Sequence, residues 1–572
     1  TEPLKPGQAD RHVSSRIRLP VDPDAEGDLE AAGRLIQKHQ WERALPILQA
    51  LLDKRGNELA WNGEAYVPVA DLVNERMASL SAEARRVYAL LHDAACRKIY
   101  QQGVARRSPK LLKQAATRYL NATDGPRALS ALASLLMDDG EFDAALLLLR
   151  RTDKLHLDAA TAGHIAAKKL ICLARLNRRE EAERLVAALK GSGTDHVTAN
   201  GEERECNAFM EEAFARFSTP GRPAEHDAWP SLGGNPAGNA PPPSPAPEGL
   251  WGLTVELPWP HRVKPKWPSL PSTRPVAGQD AVFINRDGVV VAVDRKSPGV
   301  AWIPSSPGTA LGLALLRGEG DDAEPLSDYY PVGNIHHWRT FDNHGLATLS
   351  LHGGRLFAVH FDPMKLLLPG KPWQATPEEL ALANELRCYE AASGALLWRA
   401  GAGTRRLPAL SDCWFFTAPT VHGERAYVLA ARTGRLHALC LDAVTGQLLW
   451  DTPIGALESR QEIQRFSMEF FLADTSPPAV SDGVVVYPTG QGVVCAYSAH
   501  NGDLLWVSPY PRSAERIHRL GQRIDVPSSS WVPRQPIIRD GRCLLTPMDS
   551  RRLVALSLFT GAPIWQARFP NG

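Results

Sequence analysis

The sequence lacks a net charge, a long apolar run and any close pair of cysteines. Its 572 residues include 64 lysines and arginines and 63 aspartates and glutamates, which leaves a formal charge of +1. Such a balance provides no global field to attract nucleic acid or an anionic membrane, so we predict neither as a partner. The longest apolar runs, such as residues 144–149, are far shorter than the ~20 residues that span a bilayer. We therefore expect no membrane-spanning segment in this chain.

The cysteines stand singly, without a CxxC motif or an adjacent pair. This spacing gives no support to a zinc ribbon or a thioredoxin-type redox site. Several cysteines lie in apolar, strand-like runs, where a free thiol behaves as a small core side chain. We predict that they are structural, and the sequence leaves open whether any of them form a disulfide. The cysteines are Cys96, Cys172, Cys206, Cys388, Cys413, Cys440, Cys495 and Cys543.

Composition changes along the chain and divides it into four segments. Residues 28–217 are rich in Ala, Leu, Arg and Glu with apolar positions at helical spacing, whereas residues 249–572 are rich in Val, Gly, Thr and Trp with period-two alternation. Nine prolines in residues 218–248 disfavour a regular ladder and favour extended polyproline II structure. We predict an N-terminal extension over 1–27, a helical domain, a Pro/Gly-rich linker over 218–248 and a strand-rich domain.

Three helical hairpins are predicted in the helical domain. They lie around residues 28–53, 125–151 and 157–190, and each is interrupted by a short break followed by a small residue where two helices approach closely. The breaks and small residues are His39-Gln40 before Ala44, Asp139-Gly140 before Ala145, and Asn177-Arg178 before Ala182. This pattern resembles a tetratricopeptide-like (TPR-like) array. An ordinary helical bundle is the alternative, because residues 61–120 do not show the pattern.

The strand-rich domain contains a repeat in which a small polar residue and a glycine precede a tryptophan. The copies are Ser393-Gly394 to Trp398, Thr445-Gly446 to Trp450, Asn501-Gly502 to Trp506, Thr560-Gly561 to Trp565, and a degenerate Gly299 to Trp302. The four regular tryptophans are 52, 56 and 59 residues apart, a spacing typical of one four-stranded unit and its connector. The glycine permits a tight hairpin, and the indole can wedge between neighbouring sheets. We predict five four-stranded antiparallel blades stacked radially into a β-propeller.

The unit over residues 437–450, with Asp442, Thr445, Gly446 and Trp450, resembles the pyrroloquinoline-quinone-like (PQQ-like) repeat. That repeat occurs in quinoprotein dehydrogenases and in the beta-barrel assembly lipoprotein that shares their fold. The segment 229–237 is similar to the start of many secreted bacterial propellers of this type. The resemblance implies an α plus all-β protein in a periplasmic or otherwise extracytoplasmic setting of the bacterial cell envelope. It informs fold far more than activity.

The related propellers have seven or eight blades, whereas five are visible here. The resemblance therefore implies that the ring is incomplete in this chain, with residues 250–257 as a lone outer strand of a further blade. A five-blade ring or closure by another chain is the alternative. The sequence shows no basic-then-apolar leader, so we expect any targeting segment either to have been removed or to lie outside these residues.

The long segments of the propeller share one end of the blades. Residues 303–345, 362–384, 455–473 and 507–530 fall at connections from second to third strands or between blades, and we call this the long-loop end. Tight turns such as His422-Gly423 mark the opposite, short-turn end. Loops on a rigid scaffold commonly present recognition residues, and aromatics beside arginine are typical of interaction hot spots. The candidate partner-binding residues are Tyr329, Tyr330, His336, His337, Trp338, Trp373, Phe470, Arg516, Arg519 and Arg523. Alternatively, the aromatic rings pack the insertions against the propeller.

Catalytic motifs are largely missing. His336-His337 lack further ligands at metal-binding spacing, the acidic residues of 321–328 lack an EF-hand pattern, and HExxH, GxSxG and phosphate-loop motifs do not occur. Enzymes of the quinoprotein family commonly have a vicinal cysteine pair over the quinone, which this chain lacks. We therefore predict no catalytic residue, metal or cofactor, and a protein-binding scaffold that uses the long-loop end and the helical hairpins. A dehydrogenase dependent on PQQ and calcium, or its degenerate relative, is the alternative.

Overall fold

The structure is a computed structural model that describes most of the chain. The described residues are 17–199, 201–218, 230–240, 274–286, 289–296, 299–304, 345–361, 382–457, 475–512, 514–519, 522–527 and 534–568. They form a helical unit within residues 20–224 and a strand unit that comprises 17–19, 63–65 and the described residues from 230 onwards. Over these ranges, no helix is both long enough and apolar enough to span a bilayer.

The helical unit is built from amphipathic helices and two short hairpins. The helices are α1 (Pro23–Gln37), α2 (Trp41–Lys54), α3 (Val69–Ala78), α4 (Ala82–Ala105), α5 (Pro109–Arg118), α6 (Gly125–Asp138), α7 (Phe142–Arg150), α8 (Ala159–Arg175), α9 (Arg179–Gly191) and α10 (Cys206–Phe217). The strands that precede the blades are β1 (Ile17–Arg18), β2 (Leu59–Trp61), β3 (Tyr66–Pro68), β4 (His196–Ala199) and β5 (Glu202–Glu205). The first helix begins before the predicted boundary at residue 28, because Asp22 caps it by accepting the Asp24 N–H at 2.9 Å.

The three predicted helical hairpins are confirmed as α1–α2, α6–α7 and α8–α9. Each turns through a residue with positive φ, and these residues are His39, Gly140 and Asn177. The left-handed conformation ends the first helix of each pair and lets the second fold back. The alanine after each turn is fully buried, which allows the two helices to approach closely.

Burial of one lysine makes the stability of the helical unit depend on pH. Lys168 of α8 donates from Nζ to the carbonyl oxygen (2.8 Å) and to Oγ (2.7 Å) of Ser130. Burial lowers the pKa of Lys168 from 10.5 to about 8. Between these values the unfolded chain holds a proton that the folded chain releases, so this residue destabilises the unit at neutral pH and less so as pH rises.

We therefore expect Lys168→Met to have its largest stability advantage over the native chain at pH 7 and a smaller one at pH 10. Urea denaturation of both proteins at the two pH values, followed by helical circular dichroism, measures this difference. The comparison cancels the titration of other groups, including tyrosines and cysteines, that change charge in the same range. A difference between the proteins that is equal at both pH values would contradict the expected cost of burying this ammonium group.

The strand unit contains five blades of four antiparallel strands. In chain order they are β6–β9, β10–β13, β15–β18, β19–β22 and β25–β28, while β14 pairs beside β15 and the hairpin β23–β24 lies between blades 4 and 5. The bounds are β6 (Val276–Ala277), β7 (Ala281–Arg286), β8 (Val289–Asp294), β9 (Val300–Trp302), β10 (Leu349–His352), β11 (Arg355–Phe361), β12 (Asn384–Glu390), β13 (Leu396–Gly401), β14 (Trp414–Phe415), β15 (Thr420–His422), β16 (Arg425–Arg432), β17 (Arg435–Asp442), β18 (Leu448–Leu457), β19 (Ala479–Ser481), β20 (Val484–Pro488), β21 (Val493–Ser498), β22 (Leu504–Pro509), β23 (Ala514–Arg519), β24 (Gln522–Pro527), β25 (Ile537–Arg539), β26 (Arg542–Leu545), β27 (Arg552–Ser557) and β28 (Pro563–Arg568).

The blades are arranged radially around a shared axis. The first strands contact one another in the order β6, β10, β15, β19 and β25, so the innermost strand of each blade lies beside that of the next. We call the region lined by these strands the hub. A sandwich of two flat layers would not bring every first strand together in sequence. The predicted propeller of five visible blades is therefore confirmed, while the proposed outer strand over 250–257 lies outside the described residues.

Tryptophans join each blade to the following one. In four consecutive interfaces the indole N–H donates to a backbone carbonyl three residues before the glycine of the next blade's short turn. The pairs are Trp302 to Ala391 (2.9 Å), Trp398 to Ala443 (3.3 Å), Trp450 to Ala499 (3.2 Å) and Trp506 to Leu558 (2.8 Å). A Cβ on the glycine would lie within 2.5 to 2.8 Å of the indole in each interface. Glycine is therefore required both for its positive φ and for the contact with the ring.

A short N-terminal strand covers the outer edge of blade 3. The strand β1 pairs antiparallel with the end of β18, with Ile17 opposite Leu457 and Arg18 opposite Ala456. Ile17 is buried, and a Cβ on Gly455 would lie 2.4 Å from its Cγ2. The strand satisfies backbone groups that would otherwise form an open sheet edge.

All eight cysteines are buried free thiols, so none forms a disulfide. Burial raises the pKa of Cys96, Cys172, Cys388, Cys413 and Cys543 to about 12. We expect no thiol to react with a disulfide reagent at pH 8 in the folded protein, and all eight to react in concentrated guanidinium chloride. Rapid labelling of any cysteine before unfolding would contradict the buried placement.

Candidate functional site

Most predicted partner-binding residues lie outside the described residues and stay predictions. These are Tyr329, Tyr330, His336, His337, Trp338, Trp373 and Phe470. The three arginines of the set belong to the β23–β24 hairpin. Arg516 and Arg519 are in β23, and Arg523 is in β24. The register pairs Arg516 with Asp525 and His518 with Arg523. The segment predicted as a long loop over 507–530 therefore contains a β-ribbon between blades 4 and 5.

A buried ion pair lies near the long-loop end of blade 2. Arg387 donates from Nε to Oε2 of Glu385 at 2.8 Å, and Nη1 lies 3.5 Å from the Tyr389 hydroxyl. The exposed Arg399 reaches Oε1 of Glu385 at 3.4 Å. Burial alone would lower the pKa of Arg387, but Tyr389 and Glu385 raise it above its ordinary value. The guanidinium therefore stays charged although only 6% of its residue is exposed.

A second ionic cluster lies at the same end of blade 3. Arg432, at the end of β16, binds Asp412 through Nε at 2.9 Å and Asp451 through Nη1 at 3.3 Å. His437 Nδ1 lies 2.6 Å from the other oxygen of Asp451. The hydrogen bond to Asp412 raises the pKa of Arg432 above its ordinary value. These four side chains thus form one continuous network. It joins β16, β17 and β18 to Asp412, which precedes β14.

A third cluster joins blades 4 and 5. The Tyr510 hydroxyl donates to Oδ1 of Asp549 at 2.5 Å and accepts the Gly492 N–H at 3.2 Å, while Arg512 Nε donates to Oδ2 of Asp549 at 2.8 Å. Burial raises the pKa of Tyr510 well above its ordinary value, so it remains a neutral donor. The carboxylate of Asp549 is also buried, and its two oxygens are both satisfied.

These three clusters occupy equivalent ends of different blades. Each lies where a second strand runs into a third or where one blade continues to the next, which is the long-loop end. The short-turn end instead carries the indole contacts between blades and local turn contacts, such as the Thr445 N–H donating to Asp442 at 2.7 Å. The sequence analysis did not identify the clusters, although alternation of Glu385, Arg387 and Tyr389 in an apolar strand was a visible signal. It could not reveal partners such as Tyr510 and Asp549.

The hub is crossed by residues 230–240, which we call the hub segment. Its carbonyl groups accept backbone N–H groups of three first strands: Leu351 to Pro230 (2.7 Å), Val480 to Pro236 (2.8 Å) and Ile538 to Ala237 (2.8 Å). The segment lies inside the predicted linker over 218–248, and its residues bond to three blades of the propeller. Proline lacks the N–H needed for a ladder, but its carbonyl oxygen remains a full acceptor.

The hub segment packs closely against itself and against blade 5. A Cβ on Gly238 would lie 2.2 Å from the Pro536 carbonyl oxygen, and a Cβ on Gly233 would lie 2.5 Å from Gly238 Cα. The chain's own segment takes the space at this level of the axis.

Comparisons with known proteins agree with the propeller repeat. Residues 383–572, less than half of the chain, match the family model described as outer membrane protein assembly factor BamB. No curated protein sequence matches the chain.

Solved structures with similarity to the chain are distant in sequence. BamB from Moraxella catarrhalis is 13% identical over 50% of this chain and 58% of its own, with a TM-score of 0.28. Quinohemoprotein alcohol dehydrogenase from Comamonas testosteroni is 13% identical over 61% of this chain and 50% of its own, with a TM-score of 0.31. The corresponding enzyme ADHIIG from Pseudomonas putida HK5 is 10% identical over 61% and 48%, also with a TM-score of 0.31. The chain thus spans between 48% and 58% of the length of these structures. The family match and the glycine-tryptophan contacts identify residues 383–572 as part of a PQQ-like propeller similar to BamB.

Proposed function

We propose that the protein is a non-catalytic, protein-binding scaffold of the bacterial cell envelope, acting in the periplasm or another extracytoplasmic space. The observation that carries this proposal is the placement of all three ionic clusters at the long-loop end. They are built on strands at the end of the blades from which the connections with the predicted aromatic and arginine residues start. A rigid charged base under variable loops is a common arrangement for recognition of another protein. The helical hairpins supply a second surface for partner binding.

The alternative is a PQQ- and calcium-dependent dehydrogenase or a degenerate relative of one. Two observations disfavour it. The hub segment takes space on the axis where the resemblance implies the quinone, and the sequence has no vicinal cysteine pair. The propeller repeat itself is neutral between the two functions because one fold supports both binding and catalysis.

Crosslinking from opposite ends of one blade tests the binding proposal. We would place a photoreactive amino acid at Arg435, which is exposed at the long-loop end of blade 3, and at Val444, which is exposed at its short-turn end. Illumination in a cell-envelope extract should give a discrete protein adduct from position 435 and none from position 444. Equal adducts at both positions, or none at position 435, would refute the assignment of the working end.

A dye-reduction assay tests the dehydrogenase alternative separately. The full chain is incubated with pyrroloquinoline quinone and calcium, dialysed, and supplied with alcohols or sugars and an artificial electron acceptor. We expect no quinone absorbance to remain with the protein and no dye reduction above the level of heat-denatured chain. Retained quinone with substrate-dependent reduction would establish the enzyme instead.

A further inference from the structure

We propose that the propeller hub is a peptide-binding site and that its ligand is the chain's own hub segment, residues 230–240. This inference goes beyond the proposed function, because it assigns a recognition site at the axis rather than at the long-loop end. The ligand class is a compact, turn-containing peptide with glycines at two fixed positions, recognised mainly through its backbone.

Backbone donors at equivalent positions of three blades make the principal contacts. Leu351, Val480 and Ile538 each stand one residue before the pair that closes the first hairpin of the blade. Their N–H groups donate to the hub segment at 2.7 to 2.8 Å instead of to the second strand. Addition of a peptide to an open strand edge uses the same chemistry, but here one segment satisfies the inner edges of three sheets.

A buried glutamine binds the segment through both ends of its side-chain amide. Gln535, which is 4% exposed, accepts the Gly233 N–H through Oε1 at 3.1 Å. Its Nε2 donates to the carbonyl oxygens of Pro236 at 2.8 Å and Pro478 at 3.1 Å. One side chain therefore binds a donor and an acceptor of the segment and connects it to blade 4, so its amide is matched to this ligand.

Two glycines and two asparagines define which peptide fits. Gly238 has a φ of 69°, and the close approaches of Gly233 and Gly238 leave no space for side chains. Asn235 and Asn239 fold the segment on itself, with the Asn239 N–H donating to Asn235 Oδ1 at 3.0 Å and Asn235 Nδ2 donating to Asn239 Oδ1 at 2.8 Å. Asn239 also donates from Nδ2 to the Ile538 carbonyl oxygen. The site thus selects a compact Gly-Gly-Asn-Pro-type segment over a bulky one.

The proposal is tested in the full chain with Gly238→Val, which forces the valine Cβ against the Pro536 carbonyl oxygen and should displace the segment. Hydrogen exchange of Leu351, Val480 and Ile538 should then accelerate by at least about tenfold, while helix α8 keeps its native rate. The matched control is Gly299→Val, because a Cβ on Gly299 meets no atom within 4 Å. We expect the control to exchange like the native chain at all three positions.

A synthetic peptide of residues 230–240 should restore slow exchange at the three amides of Gly238→Val in a saturable manner. The same peptide carrying Gly238→Val should not. If Gly238→Val does not fold, Gln535→Glu provides the same test, because it removes two donors and places a carboxylate beside two carbonyl oxygens. Native exchange rates in the folded variant, or an equal effect of both peptides, would overturn the proposal.

Discussion

Replacement of Trp506 by alanine is expected to reduce the stability of blades 4 and 5 by about 3–5 kcal/mol, as for other large aromatic side chains removed from a core. Trp506 is fully buried, packs on the Gly561 turn and donates its indole N–H to Leu558. Removing it leaves a cavity between two blades and an unpaired carbonyl. Native-state hydrogen exchange of the strands of both blades measures the change.

Trp565 is the matched control for this prediction. It holds the same place in the repeat, but it is partly exposed. Trp565→Ala should therefore cost only about 1 kcal/mol. Trp506→Phe keeps an aromatic ring but loses the indole N–H and should fall between the two alanine variants. Equal losses at Trp506 and Trp565 would show that the indole contact does not hold neighbouring blades together.

Replacement of Glu385 by alanine should destabilise blade 2 by about 3–5 kcal/mol, because it leaves the Arg387 guanidinium buried without its carboxylate. The double variant Glu385→Leu with Arg387→Leu should recover most of that loss, since it removes both charges and fills the space with apolar atoms. Urea denaturation and hydrogen exchange of β11 to β13 measure both effects.

An exposed pair provides the control for this second prediction. Lys296 and Asp280 lie 2.9 Å apart and are largely in solvent. Asp280→Ala should leave stability unchanged, because exposed ion pairs contribute little. A double Leu variant as unstable as Glu385→Ala would contradict the explanation by an uncompensated buried charge.

The sequence predicts the elements whose signals are local. The step from Gly446 to Trp450 predicts a hairpin and a wedge. The structure shows both in the regular repeats that end at Trp398, Trp450 and Trp506. The breaks at His39, Gly140 and Asn177 likewise predict helix ends, because the left-handed conformation has a short-range signature. Five blades and three helical hairpins follow from these signals.

Contacts between distant segments could not be predicted in the same way. The hub segment is rich in proline and glycine, a composition typical of a linker, and its partners lie far along the chain in blades 2, 4 and 5. Gln535, for example, binds Gly233 across a separation of 302 residues. The ionic cluster of Asp412, Arg432 and Asp451 depends on strand register, which a single sequence does not reveal.

The two ends of the blades therefore have different roles in this account. Glycine turns and indole contacts at the short-turn end bind each blade to the next, and their geometry tolerates little change. Ionic clusters at the long-loop end join strands near the long connections. Substitutions at Gly446 or Trp450 should act on stability, whereas substitutions of exposed residues such as Arg435 should act on partner binding.

Exchange of the indole N–H protons, followed by nuclear magnetic resonance on protein labelled in its tryptophans, tests the radial stacking of the blades most directly. The arrangement predicts slow exchange for Trp398, Trp450 and Trp506, whose indoles bind carbonyls of a neighbouring blade, and exchange at least about tenfold faster for Trp565. Similar rates for all four indoles would contradict a wheel of blades joined through these residues.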